Sequence, residues 1–275
     1  MTATSVHSDV VVVTGMGGMG EAVARRLGNG RSVVLTDVDD AQLARVADAL
    51  GTEGYSVHAV RTDVSSADDV SALARVAADL GDIRCVVHTA GVSPTQGSTQ
   101  RIIDVDVVGT ALVLDAFEPH VRTGTVAVCI ASMAATFTEL SPDVLRLLAT
   151  TPTPELHTLD ALDPTTMEPG IAYGIAKRAN RARVEAAAVT WGRRGGRVVS
   201  ISPGIIATPM TVEELAGPSG DTMRGMIEMS PSARLGTPAD IAAAVEFLAS
   251  PAASFITGTD LLVDGGVVAA VRTSG

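Results

Sequence analysis

The sequence predicts an α/β protein built on a doubly wound parallel sheet, and three observations carry that prediction. Short runs of β-branched residues alternate with longer stretches of helical pattern, the spacing expected of parallel strands joined by right-handed crossovers. A composition that is 46% hydrophobic but 3% aromatic, with 27 glycines, suits helices layered on strands buried on both faces. No linker, low-complexity tract or solenoid repeat interrupts the 275 residues, so residues 1–275 read as a single domain.

Residues 9–14 form the first expected strand, because four consecutive valines lack helical periodicity. Gly15-Met16-Gly17-Gly18-Met19-Gly20 follows and leads into an Ala/Val/Arg/Leu stretch that reads as helix. Gly15, Gly17 and Gly20 satisfy G-x-G-x-x-G in the strand–turn–helix setting that gives the motif its meaning, which makes the fold Rossmann-type. The glycines allow a tight turn and close approach of backbone to a pyrophosphate, whose charge the helix N-terminus stabilises; a plain glycine-rich turn is the alternative. A second strand, 32–36, ends at Asp37, 17 residues beyond Gly20, near where a carboxylate binds the adenosine ribose hydroxyls of NAD. No Arg or Lys lies between Thr36 and Gln42, and Asp39 and Asp40 add negative charge. A 2′-phosphate would meet like charge there, so NAD is expected over NADP. Asp39 and Asp40 themselves read as carboxylates favoured at a helix N-terminus. Helix 39–50, strand 55–62, helix 66–80, strand 83–89, helix 99–118 and strand 124–131 continue the alternation.

Charge and composition exclude several classes. The formal net charge is −11 and no Lys/Arg cluster stands out, which argues against a nucleic-acid partner. No uncharged run reaches membrane-spanning length, and Met1 to Asp9 is polar, with no apolar targeting segment. Cys85 and Cys129 fall inside Val/Ile-rich runs and read as buried free thiols, in preference to a disulfide between neighbouring strands. A soluble protein of a reducing cytoplasm is the expectation. His7, His58, His88, His120 and His157 show no close ligand spacing, so no metal is expected. There is no G-x-S-x-G, against a hydrolase of the nucleophile-elbow type. Met223, Met226 and Met229 recur every third residue, either as a flexible lid lining an apolar pocket or as ordinary packing.

The candidate chemistry lies in Ala172-Tyr173-Gly174-Ile175-Ala176-Lys177 and in Ser132 upstream. In a helix over 171–194, Tyr173 and Lys177 stand at i and i+4 on one face. An ammonium there favours the phenolate, lowering a phenol pKa from about 10 toward the range of a general acid/base. Ser132, at a strand end, is placed to hydrogen-bond a substrate oxygen.

The ordered set of motifs resembles the short-chain dehydrogenase/reductase family over nearly the whole chain. The motifs are the glycine-rich turn 14–20, Asp63-Val64, Thr89-Ala90-Gly91, Ser132, Tyr173-x-x-x-Lys177, Ser202-Pro203-Gly204 and Thr208-Pro209-Met210. Arg234-Leu235-Gly236-Thr237-Pro238 and the run Gly258 to Gly266 look like the family's closing segment. The resemblance implies an oxidoreductase that interconverts a secondary alcohol and a ketone with NAD. It implies that Gly15, Gly17, Gly18, Met19 and Gly20 face the cofactor phosphates, that Asp63 and Val64 flank the adenine, and that Ala90-Gly91 pass beneath the cofactor. Tyr173 would move the proton, Ser132 would position the substrate oxygen, and Lys177 would hold the nicotinamide ribose. Pro203, Gly204, Ile206 and Thr208 would contact the nicotinamide carboxamide. Hydride transfer to a ketone leaves an alkoxide, so such a site must deliver a proton and stabilise developing negative charge. Homodimers or homotetramers are implied as well.

Three departures from the family pattern stand out. Thr14 to Gly20 is one residue shorter than T-G-x-x-x-G-x-G. Asp106 occupies the asparagine position of V-N-x-x-G-T, either as part of a catalytic relay or as a carboxylate satisfying a local helix kink; near Lys177 it would offset part of the lysine's effect. Ser132 and Tyr173 are 41 residues apart, so an acidic, proline-rich insertion lies at 136–169, between the fifth strand and the catalytic helix. It reads as a lid, or as a surface excursion or altered subunit contact, with a short amphipathic helix at 143–148. A comparable insertion, with Ala131-Ser132-Met133-Ala134-Ala135 and Trp191-Gly192, resembles the bacterial 3α-hydroxysteroid dehydrogenase/carbonyl reductase subgroup and points to an apolar, steroid-like substrate. The competing reading is a nucleotide-binding sensor or scaffold that retains the fold without turnover.

Overall fold

A computed structural model describes residues 8–274. His7 and most of the polar N-terminal stretch read above lie outside the described residues. The sheet has seven parallel strands in the order β3-β2-β1-β4-β5-β6-β7, formed by β1 (Ser8–Thr14), β2 (Ser32–Asp37), β3 (Ser56–Arg61), β4 (Gly81–His88), β5 (Val126–Ile130), β6 (Arg197–Pro203) and β7 (Thr259–Val263). The chain moves outward from β1 to β3, then returns to lay β4 on the other side of β1. That reversal opens a crevice at the carboxyl ends of β1 and β4, where doubly wound sheets bind ligands.

Because side chains alternate across a strand, the valines of β1 feed two cores. Val11 and Val13 pack with Val23, Ala24 and Leu27 of α1 (Gly18–Leu27), with Leu43 and Val46 of α2 (Asp40–Thr52), and with Ile241 and Val245 of α10 (Pro238–Ala249). Val10 and Val12 face the other layer, against Val70 and Leu73 of α3 (Ala67–Leu80), Phe117 of α5 (Gly109–Phe117), and Val184 and Trp191 of α7 (Pro169–Gly192). Cys85 and Cys129 are buried free thiols on neighbouring strands, and burial pushes both up to about 12. Among the described residues no helix is long and apolar enough to cross a membrane.

The expected helix 99–118 is broken. A four-residue α4 (Thr99–Ile102) passes into a π-helical turn, Ile103–Val108, before α5 resumes. The widened turn carries Asp106 inward, and π-bulges of this kind are frequent at functional sites.

The insertion 136–169 contains α6 (Pro142–Thr150) and two 3-10 segments, Thr153–Thr158 and Asp160–Leu162. Ser141 caps α6 by accepting from Val144 N, with Pro142 at the position where a missing N–H costs nothing. Leu148, Leu156 and Leu162 then bury in one cluster with Ile103, Val107 and Ala111 and with Ile175, Ala176 and Ala179 of α7. Thr153 Oγ1 donates to Asp115 Oδ2 at 2.6 Å, and Arg183 donates to the Thr151 carbonyl. The inserted segment therefore forms a third core against the helices of one layer. None of its residues lines the crevice at β1 and β4.

Candidate active site

The glycine-rich turn is shaped by contacts that no side chain would permit. Gly15 adopts φ +81°, and a Cβ there would sit 2.7 Å from the Ala90 backbone. A Cβ on Gly20 would run into the Gly15 carbonyl oxygen. Gly17 differs, since a Cβ on it would meet nothing within 4 Å. It precedes α1, whose N-terminus has no side-chain cap, and the first intrahelical bond is Glu21 N to Gly17 O at 3.0 Å. The earlier N–H groups of α1 thus lack helical acceptors and border a cleft of about 480 Å³. An uncapped helix start, with an open glycine before it, fits a dinucleotide pyrophosphate.

Gly15, Gly17, Gly18, Met19 and Gly20 line this cleft, together with Asp37, Asp63, Val64, Ala90, Gly91 and Thr208. Asp37 is drawn into the turn, its Oδ2 accepting from Met16 N at 2.6 Å and its Oδ1 from Asp39 N at 2.9 Å. Gly15 N donates to Thr36 O at 2.7 Å, so the shortened turn is tied to the end of β2 at two adjacent points. Asp39 caps α2 by accepting from Ala41 N and Gln42 N, and Asp40 lies in its first turn, 3.6 Å from Arg61. Asp63 accepts from Ser65 N and Oγ and lies 3.4 Å from Arg101; burial works against its charge, but these bonds and the arginine hold its carboxyl below the usual range. Arg101, Gln42 and Gln96 also line the cleft and were missed from the sequence. No spacing marks them, because each reaches the cleft from a separate element.

Of the carboxamide candidates, only Thr208 lines the cleft. It caps α8 (Pro209–Ala216) by accepting from Thr211 N, and it packs against Gly18. Pro203 ends β6, Gly204 packs so closely on Asp264 that a Cβ would fall 2.7 Å from its Cα, and Ile206 joins the core beside Gly236. These three residues do not line the cleft.

The reactive groups gather beyond Gly91. A Cβ on Gly91 would lie 2.6 Å from Asp106 Oδ1 and 3.2 Å from Lys177 Nζ, so glycine is needed to bring backbone over this pair. Asp106 is wholly buried, and its Oδ1 accepts from Val92 N at 3.1 Å and lies 3.7 Å from Lys177 Nζ. The carboxylate thus serves the loop after β4 and faces Lys177, and does not close bonds within its own helical turn. The Asp106 carbonyl accepts from Thr110 Oγ1 at 2.8 Å and from Asn180, its amide oriented by the hydrogen-bond network, at 2.6 Å. Lys177 Nζ also donates to the Ile130 carbonyl at 3.5 Å and stands 5.3 Å from the centre of the Tyr173 ring. Ser132 opens the 3-10 turn Met133–Thr136, its Oγ accepting from Ala134 N at 3.1 Å, and it stands near enough to Tyr173 to favour the phenolate. Arg181, one turn beyond Lys177, donates to Thr136 Oγ1 (2.9 Å) and Ser202 Oγ (2.8 Å) and pairs with Asp260 at 3.1 Å. That network fastens the serine segment to α7 and β6, and no motif in the sequence announced it.

The electrostatics correct one expectation. Burial pushes Asp106 up to about 6 despite Lys177 and the Val92 hydrogen bond. Burial alone would lower Lys177, but Asp106 and Tyr173 outweigh it and its pKa is raised. Tyr173 is raised too, not lowered: burial is the largest effect, Lys177 opposes it, and Asp106 adds to it. The lysine is where the spacing put it, but desolvation and a carboxylate overcome its field. His88 is buried between Thr14 Oγ1 (2.8 Å) and Thr110 Oγ1 (3.2 Å), and burial pushes it down to about 3, a neutral structural histidine. Among the described residues no cluster of His, Cys, Asp or Glu is suited to a metal.

Comparison with known proteins agrees with this geometry. Residues 9–141 match the family model described as short chain dehydrogenase, and residues 160–268 match one described as Enoyl-(Acyl carrier protein) reductase. The chain belongs to the short-chain dehydrogenase/reductase family. It is 36% identical to the short-chain dehydrogenase/reductase bsc3 of Alternaria brassicicola, over 96% of this chain and 97% of that protein. It is 28% identical to the 3-alpha-hydroxysteroid dehydrogenase/carbonyl reductase of Comamonas testosteroni, over 96% and 98%. Among solved structures, a 7 alpha-hydroxysteroid dehydrogenase complexed with NADH and 7-oxo glycochenodeoxycholic acid superposes with a TM-score of 0.76 at 26% identity, covering 95% of this chain and 94% of that one. The chain is thus an oxidoreductase of this family.

Proposed function

We propose that this protein is an NAD-dependent dehydrogenase/reductase that interconverts a secondary alcohol and a ketone on a small, largely apolar substrate. The observation that carries the reading is that Ser132, Tyr173 and Lys177 gather behind Gly91, which lines a cleft suited to a dinucleotide. When bound, the nicotinamide accepts or supplies the hydride. The chain's own residues do the rest. The Tyr173 hydroxyl gives its proton to the forming alkoxide, or takes it from the alcohol. Ser132 Oγ donates to the substrate oxygen as negative charge develops there. Lys177 holds an ammonium beside the ring and steadies the phenolate form. Gly17 and the start of α1 receive the pyrophosphate, Asp37 accepts from the adenosine ribose hydroxyls, and Asp63 and Val64 flank the adenine. Thr208 stands at the rim of the nicotinamide end, and Pro203, Gly204 and Ile206 hold the segment that leads to it.

The carboxylate at Asp37, with Arg101 already paired to Asp63, supports NAD over NADP. The similar proteins named for hydroxysteroids support a cyclic, steroid-like substrate. A homo-oligomer in the cytoplasm completes the reading. Purified protein incubated with NAD and a panel of secondary alcohols, hydroxysteroids included, should form NADH, and kcat/KM with NADP should be at least about tenfold lower. NADH binding without turnover on any member would instead favour the nucleotide-binding sensor.

A further inference from the structure

Asp106 stands where the family pattern has a neutral asparagine, and its surroundings are those of an active charge. The carboxylate is fully buried on the π-helical turn, with Oδ1 accepting from Val92 N and Oδ2 lacking any partner. An asparagine oxygen would serve Val92 equally well, so the local hydrogen bond does not require a carboxylate. A buried charge is costly unless it is paired. Among the described residues the cation in ion-pair contact with it is Lys177, at 3.7 Å, and that ammonium also faces the Tyr173 ring.

We propose that the Asp106 carboxylate is a positioning residue that acts as counter-ion to Lys177 and so raises the proton affinity of Tyr173, moving alcohol oxidation to more alkaline pH than a neutral residue would allow. The inference rests on Tyr173 being the proton-transfer group. Its electrostatic sign is fixed by the neighbours. From α7, Lys177 and Tyr173 face the carboxylate, and the Arg101 guanidinium of α4 acts at longer range. From β4, His88 is held neutral, and from β5 the Cys129 thiol stays protonated. From α8, Glu214 also raises the phenol, so Asp106 acts on Tyr173 both directly and by offsetting the Lys177 ammonium it faces. With the carboxylate ionised, the ammonium's field at Tyr173 is partly cancelled and the phenolate is harder to form. With an amide there, the field is restored. Asp106 titrates near 6, so the cancelling charge is present in neutral and alkaline solution, where oxidation needs the phenolate.

The chain contains two tyrosines, Tyr55 and Tyr173, so the proton can be followed directly. In a Tyr55→Phe background, tyrosinate difference absorption titrates Tyr173 alone, with and without NAD. Asp106→Asn should lower the pH of Tyr173 ionisation by at least about one unit, and the pH profile of kcat/KM for oxidation should move the same way. A purely structural role would leave that midpoint in place. An unchanged or higher midpoint in a folded Asp106→Asn protein, checked by circular dichroism, overturns the proposal. Should that variant fail to fold, Asp106→Ser in the same background is titrated instead: a Tyr173 midpoint lowered by about one unit supports the proposal, and an unchanged or higher midpoint, or ionisation of Tyr173 in the Tyr55→Phe protein at or below the ordinary phenol value of about 10, overturns it. The titration reads Tyr173 whether or not turnover occurs, so failure of the proposed function would appear instead as full activity in Tyr173→Phe.

Discussion

Tyr173 and Lys177 show how little of a site's energetics a spacing contains. Their separation in sequence puts the ammonium 5.3 Å from the ring, yet the phenol holds its proton more tightly than in water. Burial and Asp106, both set by the fold, outweigh the lysine. Asp37 is a second case in which one side chain has two duties. It faces the cleft, and it also accepts from Met16 N, anchoring the shortened turn. Asp37→Ala should therefore relax discrimination against NADP and also raise KM for NAD, by about tenfold or more, as the turn loosens. Steady-state kinetics with both cofactors checks this; unchanged discrimination would mean that another group selects the ribose.

At the scale of the element, the glycine turn separates folding from binding. Gly20 is required because the Gly15 carbonyl occupies the space of a Cβ, whereas Gly17 faces an open cradle. Gly20→Ala should thus lower thermal stability markedly or prevent folding. Gly17→Ala should melt like the wild type but bind NADH about tenfold more weakly, a loss of about 1.4 kcal/mol. Calorimetry and fluorescence titration distinguish the two effects. The glycine pattern was legible because it is local: strand, turn and helix are contiguous, and Gly15 and Gly20 answer steric demands within the unit or from the Thr89-Ala90 segment. The π-helical turn at 103–108 was not legible, because its apolar residues fit an ordinary helix; what places Asp106 is packing against Val92 and α7. Arg101 and Arg181 escaped for the same reason, being functional only through partners far away in the chain.

For the whole molecule, the strand–helix alternation revealed the first five strands and the crossovers between them, whereas β6 and β7 were marked only by motifs and not read as strands. Segment 136–169 was legible in length and composition but not in its path. Its leucines make an apolar pattern that any helix face might receive, and the faces of α5 and α7 receive it. Ile171 and Val189 of α7 and Leu147 of α6 stay exposed, and further exposed apolar side chains gather by the β7 edge. Phe247 of α10, Phe255, Leu261 and Leu262 are all prominent there, and Phe255 is fully exposed. An uncovered strand edge beside apolar side chains is a pairing surface, which a second copy would satisfy. Sedimentation should show a dimer or larger assembly, and Leu262→Lys should shift it toward monomer without lowering helical content. A monomeric wild type would contradict this.

The central claim is that Tyr173 moves the proton in an NAD-dependent redox reaction. It is tested most directly by comparing wild type and Tyr173→Phe on the substrate with the highest turnover, with NADH affinity measured in parallel. The expected result is a loss of kcat of at least about a thousandfold with NADH affinity nearly unchanged. Full turnover in the phenylalanine variant would contradict the mechanism.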